Sequence, residues 1–126
     1  MPIEWTIDSR ERLVTVTGEG TVTYGEAVRL LDTVAGARAL GYRKLLDARK
    51  ASPTFSLDEL MQLAVKVRGL HGSGPMGALA VVATAEQTVT YARLLGALAA
   101  AERPIKVFTT PRAACNWIAE QPPLED

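Results

Sequence analysis

Six consecutive residues, Ala78-Leu79-Ala80-Val81-Val82-Ala83, are apolar without interruption. Successive strand side chains point to opposite faces, so a strand built from this run needs cover on both sides. That is the position of an interior strand in a helix-covered sheet. Two more short runs, Lys44 to Ala48 and Ile105 to Phe108, have the same strand-like length. The segments between them repeat at helical spacing.

Four helix starts are written locally. Thr23 precedes Glu26 by three residues, Ser56 precedes Glu59, and Thr84 precedes Gln87. Each is a capping-box spacing, in which hydroxyl and carboxylate or amide satisfy free N–H groups reciprocally. Thr110 stands before Pro111, whose missing N–H costs nothing at the first helical position. Behind the caps, Ala27, Val28, Leu31, Val34 and Ala35 form one apolar stripe, and Leu60, Ala64 and Val67 a second. Tyr91, Leu95, Leu98 and Ala99 form a third, and Ala114, Trp117 and Ile118 a fourth. Gly41, Gly69, Pro104 and Pro122-Pro123 read as stop signals.

The opening is a hairpin. Trp5 and Ile7, then Val14 and Val16, alternate with polar neighbours around the turn Asp8-Ser9-Arg10-Glu11, and Gly18 and Gly20 are expected to break the second strand. The order is therefore β-β-α-β-α-β-α-β-α, an α/β fold with a mostly parallel five-stranded sheet edged by an antiparallel hairpin. Residues 1–121 read as one domain and 122–126, Pro122 to Asp126, as a loose tail.

Composition excludes several chemistries. The chain of 126 residues carries 14 Lys+Arg against 14 Asp+Glu, and its aromatic content is 6%. A nucleic-acid binder needs a basic face and often stacking platforms, so none is expected. One cysteine, Cys115, and one histidine, His71, allow neither an internal disulfide nor a Cys/His zinc site. The start, Met1-Pro2-Ile3-Glu4-Trp5, lacks the pattern of a secretion signal, and no apolar run approaches the ~20 residues of a membrane span. A cytoplasmic domain without metal or other cofactor is expected.

In such folds ligands gather where strands end and helices begin. The loop read from Ala48 to Phe55 is the longest and most polar of these, with Arg49, Lys50, Ser52 and Thr54 behind Asp47. It holds an anion against the next helix, or it is a solvated loop. Ser56 is already explained as a cap. His71, in His71-Gly72-Ser73-Gly74-Pro75, reads as an exposed loop residue, because phosphate-cradling loops run from strand to helix and this one runs from helix to strand. Cys115 reads as core beside Ala114, so the pair does not form a nucleophile and base. No catalytic residues are identified. Met61 and Leu63 fall off the main stripe of the second helix and either cover a partner surface or widen the buried face. The glycines from Gly72 to Gly77, with Met76, form turns or the rim of an apolar cleft.

The hairpin, the strand Lys44-Leu45-Leu46-Asp47, the segment to Phe55 and the helix opening at Ser56 together resemble the STAS domain, the fold of bacterial anti-sigma factor antagonists. That fold is related in architecture to CRAL-TRIO (Sec14-like) lipid-binding domains. The resemblance runs from Ile3 to about Glu120 and looks closest to small stand-alone bacterial STAS-like proteins, through Trp5 to Asp8 in the opening strand and Tyr42 to Arg49 in the third. In the antagonists a strand-end acid precedes a helix opened by an Asp-Ser pair whose serine is phosphorylated. Asp47 matches the acid. The acceptor position carries Leu57, which has no hydroxyl; a shift of one residue puts Ser56 there.

The resemblance implies a non-enzymatic module that binds a protein partner or itself through the second helix and the segment containing Asp47, Arg49, Lys50, Ser52, Thr54, Ser56 and Leu57. A small apolar or lipid ligand is the alternative, and a hydrolase using His71 the remotest.

Overall fold

Each helix starts where a hydroxyl side chain meets its own backbone. In the computed structural model, which describes residues 3–72, 76–90, 92, 94, 96 and 103–122, the four expected starts are all observed. Thr23 Oγ1 accepts from Glu26 N at 3.3 Å while Glu26 Oε1 accepts from Thr23 N at 3.2 Å, opening α1 (Tyr24–Gly36). The same reciprocal pair links Ser56 with Glu59 at 3.1 and 2.9 Å before α2 (Leu57–Gly72). It also links Thr84 with Gln87 at 3.0 and 2.8 Å before α3 (Ala85–Thr90). Thr110 Oγ1 accepts from Ala113 N at 3.3 Å, with Pro111 leading α4 (Pro111–Glu120).

Five strands lie in one sheet in sequence order: β1 (Ile3–Asp8), β2 (Leu13–Val22), β3 (Arg43–Pro53), β4 (Leu79–Val82) and β5 (Ile105–Phe108). β1 and β2 are antiparallel, and every later pairing is parallel. The hairpin turn is tied by Asp8 Oδ1, which accepts from the backbone of Arg10 and Glu11 at 2.9 and 3.0 Å.

Strand periodicity then divides the core. Val14, Val16 and Leu46 face one side, where they pack with Val34 and Leu30 of α1. Leu13, Leu45, Ala80 and Val82 face the other and pack with Ala114 and Ile118 of α4. β4 is buried along its whole length, as its uninterrupted apolar run requires. Val67 of α2 packs with Met76, Leu31 and Leu70, and Lys66 of α2 pairs with Asp32 of α1 at 2.8 Å.

Several boundaries differ from the sequence expectation. Gly18 and Gly20 do not end β2; the strand continues to Val22, with Gly20 at φ 70°. Correspondingly, β3 runs on to Pro53, so Ala48 to Pro53 is strand rather than loop. The two extensions stabilise each other by pairing Glu19 with Lys50 through Val22 with Pro53. Helix α1 ends at Gly36, before Gly41. Helix α2 continues past Gly69 to Gly72, which puts the His71 backbone in a helical turn instead of a loop; a helical glycine weakens a helix by only ~1 kcal/mol. Cys115 is exposed, not core, because α4 turns Ala114 and Ile118 inward. The stripe expected at Tyr91, Leu95, Leu98 and Ala99 lies outside the described residues, as do Ser73 to Pro75 and the last four residues of the tail.

Candidate functional site

The extended ends of β2 and β3 meet at an irregularity. Thr17 pairs with Asp47 and Glu19 with Lys50, so the single Gly18 stands opposite two residues, Ala48 and Arg49. The extra residue makes a bulge on β3, rare between parallel strands, and bulges re-aim the side chains around them. Asp47 holds it from within: Oδ1 accepts from Arg49 N at 3.2 Å. Gln87, at the start of α3, holds it from outside, its Nε2 donating to the carbonyls of Ala48 and Arg49, each at 2.9 Å.

The bulge turns Arg49 back onto Asp47. Its Nε and Nη2 reach the two carboxylate oxygens at 3.0 and 2.8 Å, a bidentate pair. The Arg49 hydrogen bond holds the Asp47 carboxyl below its ordinary value, against a smaller opposing push from burial, and Asp47 raises Arg49 in turn. With Thr17, Gly18, Glu19 and Lys50 the pair borders a depression of about 100 Å³. Two acids and two bases share it, so its formal charge cancels. The Arg49 charge is already matched by Asp47, which weakens its pull on an external anion.

The remaining residues of the segment have separate places. Ser52 and Thr54 are exposed, and Thr54 Oγ1 donates to Val22 O at 3.3 Å. Ser56 is occupied as the cap of α2. Leu57 is the first residue of that helix and is 57% exposed. Four and eight residues on, Met61 and Val65 are 61% and 65% exposed, whereas Leu63 is buried at 2%. Met61 therefore faces solvent and Leu63 joins the core. The line Leu57, Met61, Val65 was legible as an i, i+4, i+8 spacing, but helical periodicity alone does not say which of two apolar faces is covered.

Among the described residues, two partly open pockets lie on the α1 side of the sheet. One, of about 140 Å³, is lined by apolar residues only. This is below the ~300–1,000 Å³ of a drug-sized ligand site. A second of about 80 Å³ shares Val16, Leu30, Leu31 and Leu46 with it and ends on buried Lys44 and Arg103. Lys44 Nζ donates to the carbonyls of Leu40 and Tyr42, and burial lowers Arg103 to about 10. Cys115 sits on α4, across the sheet from α1. Among the described residues, no three His, Cys, Asp or Glu side chains converge as a metal site, and no helix is long and apolar enough to cross a membrane.

No family model and no curated protein matches the sequence. Among solved structures, the chain is similar to an uncharacterised protein of the DUF3478 family with a SpoIIAA-like fold from Shewanella loihica PV-4. The match has a TM-score of 0.61 at 20% identity and covers 92% of this chain and 93% of that one. The hairpin, the parallel strands and the described helices thus form a SpoIIAA-like fold, the fold of STAS domains and anti-sigma factor antagonists.

Proposed function

We propose that this chain is a non-enzymatic, STAS-like regulatory module that docks a protein partner, or a second copy of itself, through the solvent face of α2. The supporting observation is the line of Leu57, Met61 and Val65, each more than half exposed. At 1.5 Å rise per residue it extends ~12 Å along the helix. Asp58, Gln62 and Arg68, all exposed, border it with polar groups, the arrangement of an interface with an apolar centre and a wet rim. Covering one such side chain is worth ~1.5–3 kcal/mol, so this short line supplies much of the driving force for a transient contact. The polar ledge from Asp47 to Thr54 leads into the same helix start and supplies a charged margin.

A photo-crosslinking residue placed at Met61, at Val65, or at Arg112 on α4 tests the reading in cells that make the protein. Met61 and Val65 are expected to yield the same discrete adduct, and Arg112 none, with Leu57→Asp abolishing it. Equal labelling from all three positions, or none from α2 in a protein that sediments as a monomer, would overturn it.

A further inference from the structure

Resting on the docking role proposed for α2, we infer that its partner is the α2 helix of a second copy, packed antiparallel across a two-fold axis. Asp58, Met61, Val65 and Arg68 follow one another at intervals of three, four and three residues, and all four are exposed. That alternation is the spacing of a coiled-coil seam. From Asp58 to Arg68 it runs ~15 Å along the helix at a rise of 1.5 Å per residue. Lys66, on the same helix, is committed to Asp32 of α1. Among the described residues, neither Asp58 nor Arg68 has an ion-pair partner in the chain, so both charges are open to a neighbour.

The order of these four side chains selects the occupant. In an antiparallel pair, each end of one seam lies level with the opposite end of the other. Asp58 then meets the partner's Arg68, and Met61 meets the partner's Val65. A two-fold axis repeats both contacts, because such an interface is self-complementary. Two apolar layers therefore sit between two acid–base layers, and one register satisfies all four positions. Parallel packing would instead set acid on acid and base on base, which opposes association. Gly69 and Gly72 border the far half of the seam, and a Cβ at either would meet nothing within 4 Å. The approach to the helix is open there. One helix against one helix buries less than the ~1,200–2,000 Å² of a stable complex, so the dimer is weak and reversible, in the micromolar to millimolar range.

Sedimentation velocity of the full chain from micromolar to millimolar concentration, with charge-reversed variants, tests the arrangement. The parent is expected to form a reversible dimer. Asp58→Arg or Arg68→Asp alone puts like charges in both outer layers and should weaken the dimer at least tenfold. In an equimolar mixture of the two variants, each outer layer of the mixed dimer again joins an acid to a base. That mixture, and the Asp58→Arg/Arg68→Asp double variant by itself, should associate within about threefold of the parent. If a single variant does not fold, the double variant carries the test. A parent that stays monomeric at millimolar concentration, a mixture no tighter than its components, or a folded double variant weakened tenfold overturns the inference. A crosslinked adduct of Met61 with a different protein, beside a monomeric parent, overturns the self-pairing and leaves the docking role of α2 intact; no adduct at all removes both.

Discussion

Gln87 reaches across the sheet to Arg49, donating from Nε2 to the Arg49 carbonyl at 2.9 Å. Its other amide atom, Oε1, accepts from Thr84 N at 2.8 Å. One side chain thus caps α3 and closes the part of β3 that extends past β4, where the strand would otherwise present open carbonyls. The β3 bulge depends on a residue from another element.

Removing that amide should loosen the bulge without unfolding the sheet. Gln87→Ala leaves the Ala48 and Arg49 carbonyls without this donor and is expected to cost about 2 kcal/mol, read as a lower urea midpoint. Gln87→Glu keeps the cap acceptor but puts carboxylate oxygens against carbonyls, so it should be at least as destabilising. Hydrogen exchange should quicken at Lys50 and Ala51 before it changes in β4. A uniform change across the sheet would contradict this role.

The Asp47–Arg49 pair predicts a pH dependence. Because the folded Asp47 value is depressed from 3.8, its stabilisation is present in full above the unfolded value and is lost as pH falls through the folded one. Asp47→Asn should therefore be less stable than the parent at neutral pH, with the difference shrinking as pH drops below 3.8. The solvent around Arg49 keeps the effect modest. Urea unfolding of both proteins from neutral to acid pH measures it, and a constant difference would rule the pair out as its source.

Gly77 is a different kind of constraint. A Cβ there would sit 2.2 Å from the Tyr42 carbonyl oxygen and 2.6 Å from that of Gly41, while Gly77 N donates to Leu40 O at 2.8 Å. The neighbours are backbone and cannot swing aside. Gly77→Ala should cost roughly 3 kcal/mol, seen as a lower melting temperature. Gly69→Ala, where a Cβ meets nothing within 4 Å, should be neutral or stabilising.

Particular residues show where sequence reasoning stopped. Thr23, Ser56, Thr84 and Thr110 marked their helix starts correctly because a cap is closed by an atom three residues away. Gly18 and Gly20 misled because glycine signals permission to turn, and pairing between Glu19 and Lys50 overrode it. Cys115 misled because its neighbour Ala114 is buried, and one residue along a helix rotates the side chain by about 100°. At the candidate site the residue types were legible, but the capture of Arg49 by Asp47 was not. It follows from a bulge whose outer support, Gln87, lies 38 residues further along the chain.

Local order alone therefore settled the α/β class, the succession of elements and the helix starts, since each depends on periodicity or on contacts within one turn. Tertiary structure decided the lengths of β2 and β3, the sequential strand order, the exposure of Met61 against the burial of Leu63, and the pocket beneath α1. These depend on which distant surfaces meet and how completely they fill the space between them, and periodicity along the chain carries no measure of either.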